Sequence, residues 1–250
     1  MHWQCGRFCI ELTTPKIMGI VNKTPDSFSD GGHYSGSLQA ALRHAETMLK
    51  DGADILDVGG ESTRPGAHEV SVEEECKRVF PVLREIVSWN VPVTLDTRRT
   101  EVMRRALEHG FIDAVNDISA LRDEGAIDVI ASEPSIGVCL MHMKGLPRTM
   151  QKKPDYDDVV GEVGTFLHER AESCIQAGIA KDRLLIDPGI GFGKTLEHNM
   201  TLLTHIQEWQ KIAHDLPVLI GASRKSMLGG ITGQTDPMQR LGASIACHIE

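Results

Sequence analysis

The chain has 250 residues, enough for one large domain or two small ones with a substantial hydrophobic core. Hydrophobic residues at 41% and charged residues at 24% are ordinary globular usage and exclude a disordered chain. A formal charge of −9 without a lysine-arginine tract excludes a nucleic-acid surface; any anionic ligand must be held by local groups or a metal, against the global field.

The first fifteen residues, MHWQCGRFCIELTTP, lack the apolar centre of a secretory signal and read as a β-ribbon ahead of the main fold. No later run approaches the ~20 apolar residues of a membrane span, so no membrane partner is expected. Six cysteines, at 5, 9, 76, 139, 174 and 247, form no CxxC pair and read as reduced thiols of a cytoplasmic protein. His2, Cys5 and Cys9 find no partner cluster that completes a tetrahedral set, so no zinc site is expected there.

Seven short apolar runs follow, each predicting a strand: KIMGIVN (16–22), DILDVGG (54–60), PVTLDT (92–97), DAVNDIS (113–119), GVCLMHM (137–143), LLIDPG (184–189) and PVLIGAS (217–223). Between them lie amphipathic patterns such as LQAALRHAETMLKDG and SVEEECKRVFPVLREIVSW, which predict helices. Gly52, Gly110 and Gly178 sit where a helix hands over to the next strand. Strand–helix alternation without a linker predicts a single α/β domain over 1–250 with a parallel sheet. Nearly wholly apolar strands in seven units point to a (β/α)8 TIM barrel rather than an open doubly wound sheet. The last helical pattern, DPMQRLGASIACHIE, runs to the final residue, so the eighth βα unit is expected to be missing from this chain, either as a shortened form of a longer protein or with a barrel that closes in an unusual way.

Each apolar run ends on polar residues: Asn22, the segment GGEST, Asp96, Asn116, His142, Asp187 and the segment SRK. In a barrel these ends meet at one rim, where such folds place their sites. The sixth run continues into DPGIGFGKT (187–195), which resembles a nucleotide loop. A phosphate loop needs a glycine five residues before the one preceding lysine, and Pro188 stands there; a dinucleotide fingerprint needs a glycine where Lys194 stands. Both templates fail, so the glycines read as clearance for a flat heterocycle and Asp187 as its anchor.

Asp96, Asn116 and Lys225 can join Asp187 around that ring. The carboxylates suit the amino and ring N–H groups of a 2-amino-4-oxo pyrimidine edge, the lysine suits its carbonyl oxygen, and the amide suits either kind of group. Each has a structural alternative: Asp96 as a helix cap, Asn116 or Asp117 as a turn cap. Two polar loops complete the rim. NKTPDSFSDGGHYSG (22–36) is long for a compact domain and carries Phe28, an aromatic with nothing local to pack on. GGESTRPGA (59–67) sets Thr63 and Arg64 beside glycines, a combination suited to phosphate or carboxylate. His142 reads as packing, since no step calls for a base there.

Taken together, IMGIVNKTPDSFSDGG, DILDVGGESTRPGA, LDTRR, NDISAL, LMHMKGLPRTMQ, DPGIGFGKTLEHN and PVLIGASRKSMLG span residues 17–229, and with them the chain resembles the dihydropteroate synthases. The resemblance implies condensation of 6-hydroxymethyl-7,8-dihydropterin pyrophosphate with p-aminobenzoate, on a (β/α)8 barrel, in a cytoplasmic homodimer that uses Mg2+. It implies that Asp96, Asn116, Asp187 and Lys225 bind the pterin, that Asn22 ligates Mg2+ and that Thr63 touches the pyrophosphate. Phe28, Arg64, Pro65 and Ser223 would shape the aminobenzoate pocket, with Met141 and Phe192 as further substrate contacts. Asp30, Arg64 and Lys225 would be catalytic, Asp30 by stabilising positive charge at the pterin methylene.

Two departures from the family pattern stand out. Lys23 replaces a usual valine, and the family's Arg-x-His-Asp segment is not in this sequence, which predicts weakened substrate binding, an open barrel seam, or a piece of a longer protein. Two rival readings share the pocket: a pterin-dependent methyltransferase domain, which needs no pyrophosphate site, and a pterin binder without chemistry. The TPDSFSDGG loop and the SRKS strand end favour the synthase.

Overall fold

The computed structural model describes residues 1–24, 37–62, 69–145, 149–151 and 154–249. An antiparallel ribbon, β1 (His2–Cys5) and β2 (Phe8–Glu11), precedes the main sheet. Six parallel strands then lie side by side in chain order: β3 (Met18–Asn22), β4 (Ile55–Gly59), β5 (Val93–Asp96), β6 (Ala114–Asp117), β7 (Gly137–Met141) and β8 (Leu184–Asp187). The crossovers are α1 (Leu38–Lys50), α2 (Val72–Ile86), α3 (Thr100–Glu108), α4 (Ala126–Ala131) and α5 (Val159–Gln176); α6 (Leu196–Thr204), α7 (Ile206–Ile212), α8 (Ser226–Thr232) and α9 (Leu241–Ile249) follow β8.

Local chemistry fixes where the helices begin. Ser37 Oγ accepts from Ala40 N at 3.1 Å, Ser71 Oγ from Glu74 N at 3.2 Å, and Asp158 Oδ1 from Val160 N and Gly161 N at 3.1 Å, each satisfying N–H groups that the first turn leaves unpaired. Gly178, just past α5, stands at φ +95° and releases the chain toward β8.

Strand residues alternate between two faces. Leu56, Val58, Leu95, Val115, Leu140 and Ile186 are buried in one cluster with the apolar stripes of the helices, Val79, Val82, Leu83 and Ile86 of α2 among them. Ile55, Ala114, Cys139 and Leu185 form a second cluster with Trp3, Cys5 and Ile10 of the ribbon. Trp3 is fully buried, and its Nε1 donates to the Arg183 carbonyl at 2.9 Å. A Cβ on Gly137 would come within 2.9 Å of the Trp3 ring, so the ribbon lies directly on that face of the sheet. Apolar cover at the lower end leaves the polar residues at the strands' C-terminal ends as the remaining surface of this face.

Two expectations change. The run 217–223 is not a strand: it makes one parallel bridge, Ile186 with Val218, flanked by Ile186 N donating to Pro217 O at 3.0 Å and Leu219 N to Ile186 O at 2.9 Å. A neighbour on one side only holds three residues extended, and by Arg224 the backbone stands at φ +57°. The structure therefore presents a six-stranded parallel α/β sheet. The helical pattern at 236–250 also divides, because the Asp236 side chain accepts from Met238 N at 2.9 Å and starts a separate turn at Pro237–Arg240 before α9.

No two of the six cysteines are joined in a disulfide; Cys5 is buried against the sheet and Cys9 is exposed. Among the described residues no helix is long and apolar enough to cross a membrane.

Candidate functional site

The parallel register sets Asn22, Gly59, Asp96 and Asn116 side by side across β3, β4, β5 and β6. Gly59 matters here because it has no side chain. A Cβ at that position would stand 3.2 Å from both Asn22 Oδ1 and Asp96 Oδ2, so its absence lets an amide oxygen and a carboxylate converge over the strand. One level below, the buried Asp57 takes hydrogen bonds from the Thr94 hydroxyl and from Asn116 Nδ2, the latter at 3.1 Å. Burial, then the neighbouring Asp57, push the Asp96 carboxyl well above the usual carboxylate range.

Asp117, next in sequence to Asn116, points the other way. Its carboxylate accepts from Ser119 N at 2.7 Å, Ser119 Oγ at 2.8 Å and Leu121 N at 2.7 Å, tying the tight turn in which Ala120 and Leu121 take positive φ. Asp117 is thus the turn cap, and Asn116 is the residue turned toward Asp57.

Asp187 ends β8 beside Met141 of β7 and accepts from Gly189 N at 2.6 Å. Burial raises its carboxyl, opposed by the charge of Lys225. Lys225 lies between Gly191 and Gly221, donates from Nζ to the Ile190 carbonyl, and stands 4.8 Å from the Phe192 ring centroid. Burial pulls its ammonium down to about 8 despite Asp187. Phe192 packs with Ile118, Met141, Met143 and Met150, an apolar wall adjoining the Asp187–Lys225 pair.

The glycine turn answers to the protein, not to an open space. Gly189 and Gly193 stand at φ +68° and +64°, and Cβ atoms there would meet the His142 carbonyl at 1.9 Å and the Lys144 carbonyl at 2.5 Å. Clearance for a heterocycle is therefore not what these two glycines provide; they admit neighbouring backbone. Lys194 folds inward from this turn, its Nζ donating to His142 Nδ1 at 2.8 Å and to the Gly189 and Phe192 carbonyls at 3.1 Å. His142 is accordingly buried and packed.

The sequence-predicted residues separate into three groups. Asp96, Asn116 and Asn22 share one level of the sheet, and Asp187, Lys225, Met141 and Phe192 gather at the adjoining strand ends. Ser223 is exposed on the turn two residues before Lys225. Phe28, Asp30, Thr63, Arg64 and Pro65 lie outside the described residues. Lys23 is half-buried, its backbone N–H donating to the Gly59 carbonyl at 2.7 Å, and burial lowers its ammonium.

Sequence reasoning missed Asp57, Lys194 and the group around Glu61. A carboxylate in the middle of an apolar run was the available signal for Asp57. Arg98 and Arg99 each reach Glu61 at 3.0 Å, and Arg99 stands 3.1 Å from the buried Glu75, so Glu61, shortly after β4, is fixed in a charged cluster. Burial works against ionised Glu61, yet the two arginines together hold its carboxyl below the usual range.

Among the described residues no group of three or more histidine, cysteine, aspartate or glutamate side chains could hold a metal. Asn22 Oδ1, standing over Gly59, still offers a hard oxygen donor. That fits a cation such as Mg2+, which takes few protein ligands and fills its shell with water and substrate phosphate.

The family model described as "Pterin binding enzyme" matches residues 18–250. A dihydropteroate synthase of Neisseria meningitidis serogroup C is 59% identical over 247 residues, covering 99% of this chain and 87% of that protein. The structure of the Xanthomonas albilineans dihydropteroate synthase with 4-aminobenzoic acid superposes with a TM-score of 0.90 at 46% identity, covering 99% of this chain and 87% of that one. The Burkholderia cenocepacia dihydropteroate synthase complexed with 7,8-dihydropteroate superposes with a TM-score of 0.87 at 44% identity, covering 98% and 85%.

Proposed function

This chain belongs to the dihydropteroate synthase family of pterin-binding enzymes, and from that membership we propose how its residues divide the work of the reaction. The reaction joins 6-hydroxymethyl-7,8-dihydropterin pyrophosphate to p-aminobenzoate, releasing pyrophosphate and forming 7,8-dihydropteroate for folate synthesis. The single observation that carries the assignment of roles is that Asp96 and Asn116 stand side by side at the ends of β5 and β6, while Asp187, with the charge of Lys225 acting on it, ends β8 on the same edge of the sheet.

In this reading the pterin lies with its 2-amino-4-oxo edge toward Asp187 and Asn116. Asp187 accepts from the amino group and the ring N–H, and Lys225 donates to the ring carbonyl. Met141 and Phe192 cover the ring faces with apolar surface. Asp96, its carboxyl raised by burial and then by Asp57, faces the remaining ring nitrogens. Asn22 would hold Mg2+, which when bound would neutralise charge on the pyrophosphate.

Bond formation needs no strong base. The aniline nitrogen of p-aminobenzoate attacks the pterin methylene, the C–O bond to pyrophosphate breaks, and the nitrogen releases its proton. Asp30 stabilises positive charge at that methylene, Thr63 touches the pyrophosphate, and Phe28, Arg64, Pro65 and Ser223 enclose the aminobenzoate. Arg64 and Lys225, with Asp30, are the catalytic groups in this assignment.

The surrounding architecture in this reading is a (β/α)8 barrel, with β3 to β8 as six of its strands and the Val218 bridge continuing the sheet beside β8. The protein works as a cytoplasmic homodimer. Leu241, Ile245 and Ile249 recur on one side of α9 at 54%, 51% and 77% exposure, which supports a subunit interface there.

The test is pyrophosphate release from dihydropterin pyrophosphate with Mg2+, with and without p-aminobenzoate. Release that depends on p-aminobenzoate is the expected result. Pterin binding without release would overturn the synthase assignment for this chain and leave a binding function.

A further inference from the structure

We propose that Asp57, which lies beneath the site, sets the hydrogen-bonding polarity of Asn116 and thereby selects for a 2-amino group on the pterin. This rests on the pterin reading above. The argument is one of donors and acceptors. Asp57 is 2% exposed in the middle of β4, and its two carboxyl oxygens are taken separately: Oδ1 by the Thr94 hydroxyl from β5, Oδ2 by Asn116 Nδ2 from β6 at 3.1 Å. A carboxylate has no hydrogen to offer, so the amide face turned toward it must be the NH2 face. Asn116 therefore cannot flip without losing that bond and setting two acceptor oxygens against each other inside the protein.

The consequence appears on the other side of the amide. With one Nδ2 hydrogen committed to Asp57, Asn116 is left with Oδ1 as an acceptor and its second Nδ2 hydrogen as a donor. An acceptor beside a donor complements an exocyclic amino group beside an unprotonated ring nitrogen. That is the N–C–NH2 edge of a 2-aminopyrimidine. Asp187 can then take the opposite side of the same amino group together with the ring N–H. Asp57 touches no ligand in this arrangement; it is a positioning residue that acts through Asn116. Thr94 keeps it from rotating.

The experiment measures binding of 6-hydroxymethylpterin, and of its analogue lacking the 2-amino group, to the 250-residue chain by calorimetry. In Asp57→Asn an amide faces an amide, so Asn116 can turn its oxygen downward. Affinity for 6-hydroxymethylpterin is expected to fall by about 10–100-fold, the worth of one or two hydrogen bonds, while the analogue changes less than about 3-fold. Added to Asn116→Ala, Asp57→Asn is expected to cost nothing further, because its partner is already gone. Equal loss for both ligands, or full additivity with Asn116→Ala, would overturn the inference.

A measurement on the unaltered chain guards against a variant that fails to fold. The two side-chain amide hydrogens of Asn116 are expected to differ in the ligand-free protein. One should be slow to exchange and insensitive to ligand; the other should shift when 6-hydroxymethylpterin binds. Two solvent-like hydrogens that shift together would also overturn it. If the unaltered chain does not bind 6-hydroxymethylpterin, the pterin reading fails and this inference falls with it. Binding that depends on Asn116 but not on Asp57 sinks the inference alone.

Discussion

Lys194 Nζ donates to His142 Nδ1 at 2.8 Å, joining the glycine turn after β8 to the end of β7 inside the protein. Burial and the adjacent Lys194 push the His142 imidazole down to about 2, so it is a neutral acceptor. Burial likewise pulls Lys194 to about 7, opposed by Asp187. The lysine that makes this turn look like a phosphate loop is the clamp that closes it.

Lys194→Met is expected to leave His142 Nδ1 and the Gly189 and Phe192 carbonyls without their donor. The loss should be roughly 2–4 kcal/mol, since buried acceptors without partners each cost about 1–3 kcal/mol. Chemical denaturation followed by circular dichroism checks the stability. Pterin affinity should fall as well, because the same turn supplies the Ile190 carbonyl that seats Lys225.

Lys225 gives the site a pH dependence with opposite signs for binding and for folding. Its ammonium, lowered to about 8, must be protonated to donate strongly to the pterin carbonyl, so KM for dihydropterin pyrophosphate should rise above pH 8. The rise is bounded at about tenfold per pH unit. Stability moves the other way: between about 8 and the ordinary 10.5 the unfolded chain holds the extra proton, so this residue makes folding more favourable as pH rises. Lys225→Arg should flatten the KM profile up to pH 10, since guanidinium keeps its charge there.

Gly59→Ala separates activity from stability. The added Cβ would stand 3.2 Å from Asn22 Oδ1 and Asp96 Oδ2, both on side chains able to move aside. Stability should change by less than about 1 kcal/mol. Activity should fall at least about tenfold, with a higher Mg2+ requirement from the displaced Asn22 oxygen and weaker pterin binding from the displaced Asp96. Wild-type turnover and Mg2+ titration in this variant would remove the case for Asn22 and Asp96 as a shared binding edge.

Two glycine substitutions with the same backbone sign should differ sharply. Gly189 and Gly178 both have positive φ, but a Cβ at 189 would lie 1.9 Å from the His142 carbonyl whereas one at 178 meets nothing within 4 Å. Gly178→Ala should cost about 1 kcal/mol, the strain of the left-handed conformation. Gly189→Ala should cost more than about 3 kcal/mol, since backbone must shift beside Asp187. Denaturant midpoints of the two variants decide it; equal losses would mean that the turn after β8 is looser than it stands here.

The sequence by itself determined the parallel α/β character, the six apolar runs between 16–22 and 184–189 that became strands, the helical patterns that became α1 and α2, and the family. These are properties of short-range pattern. Alternation at a period of 2, apolar spacing near 3.6 and capping side chains act within one element, and a set of ordered motifs carries the family signature. Tertiary structure alone decided three things: that 217–223 forms a single bridge and not a strand, that Asp57 lies beneath Asn116, and that Lys194 turns inward to His142. The physical reason is that each depends on partners far along the chain, 59 residues for Asn116 and Asp57 and 52 for Lys194 and His142. A run of apolar residues does not say whether a second strand will lie beside it, and a carboxylate within a strand does not say which donors the neighbouring strands will bring. Those facts exist only once the register of the sheet is set.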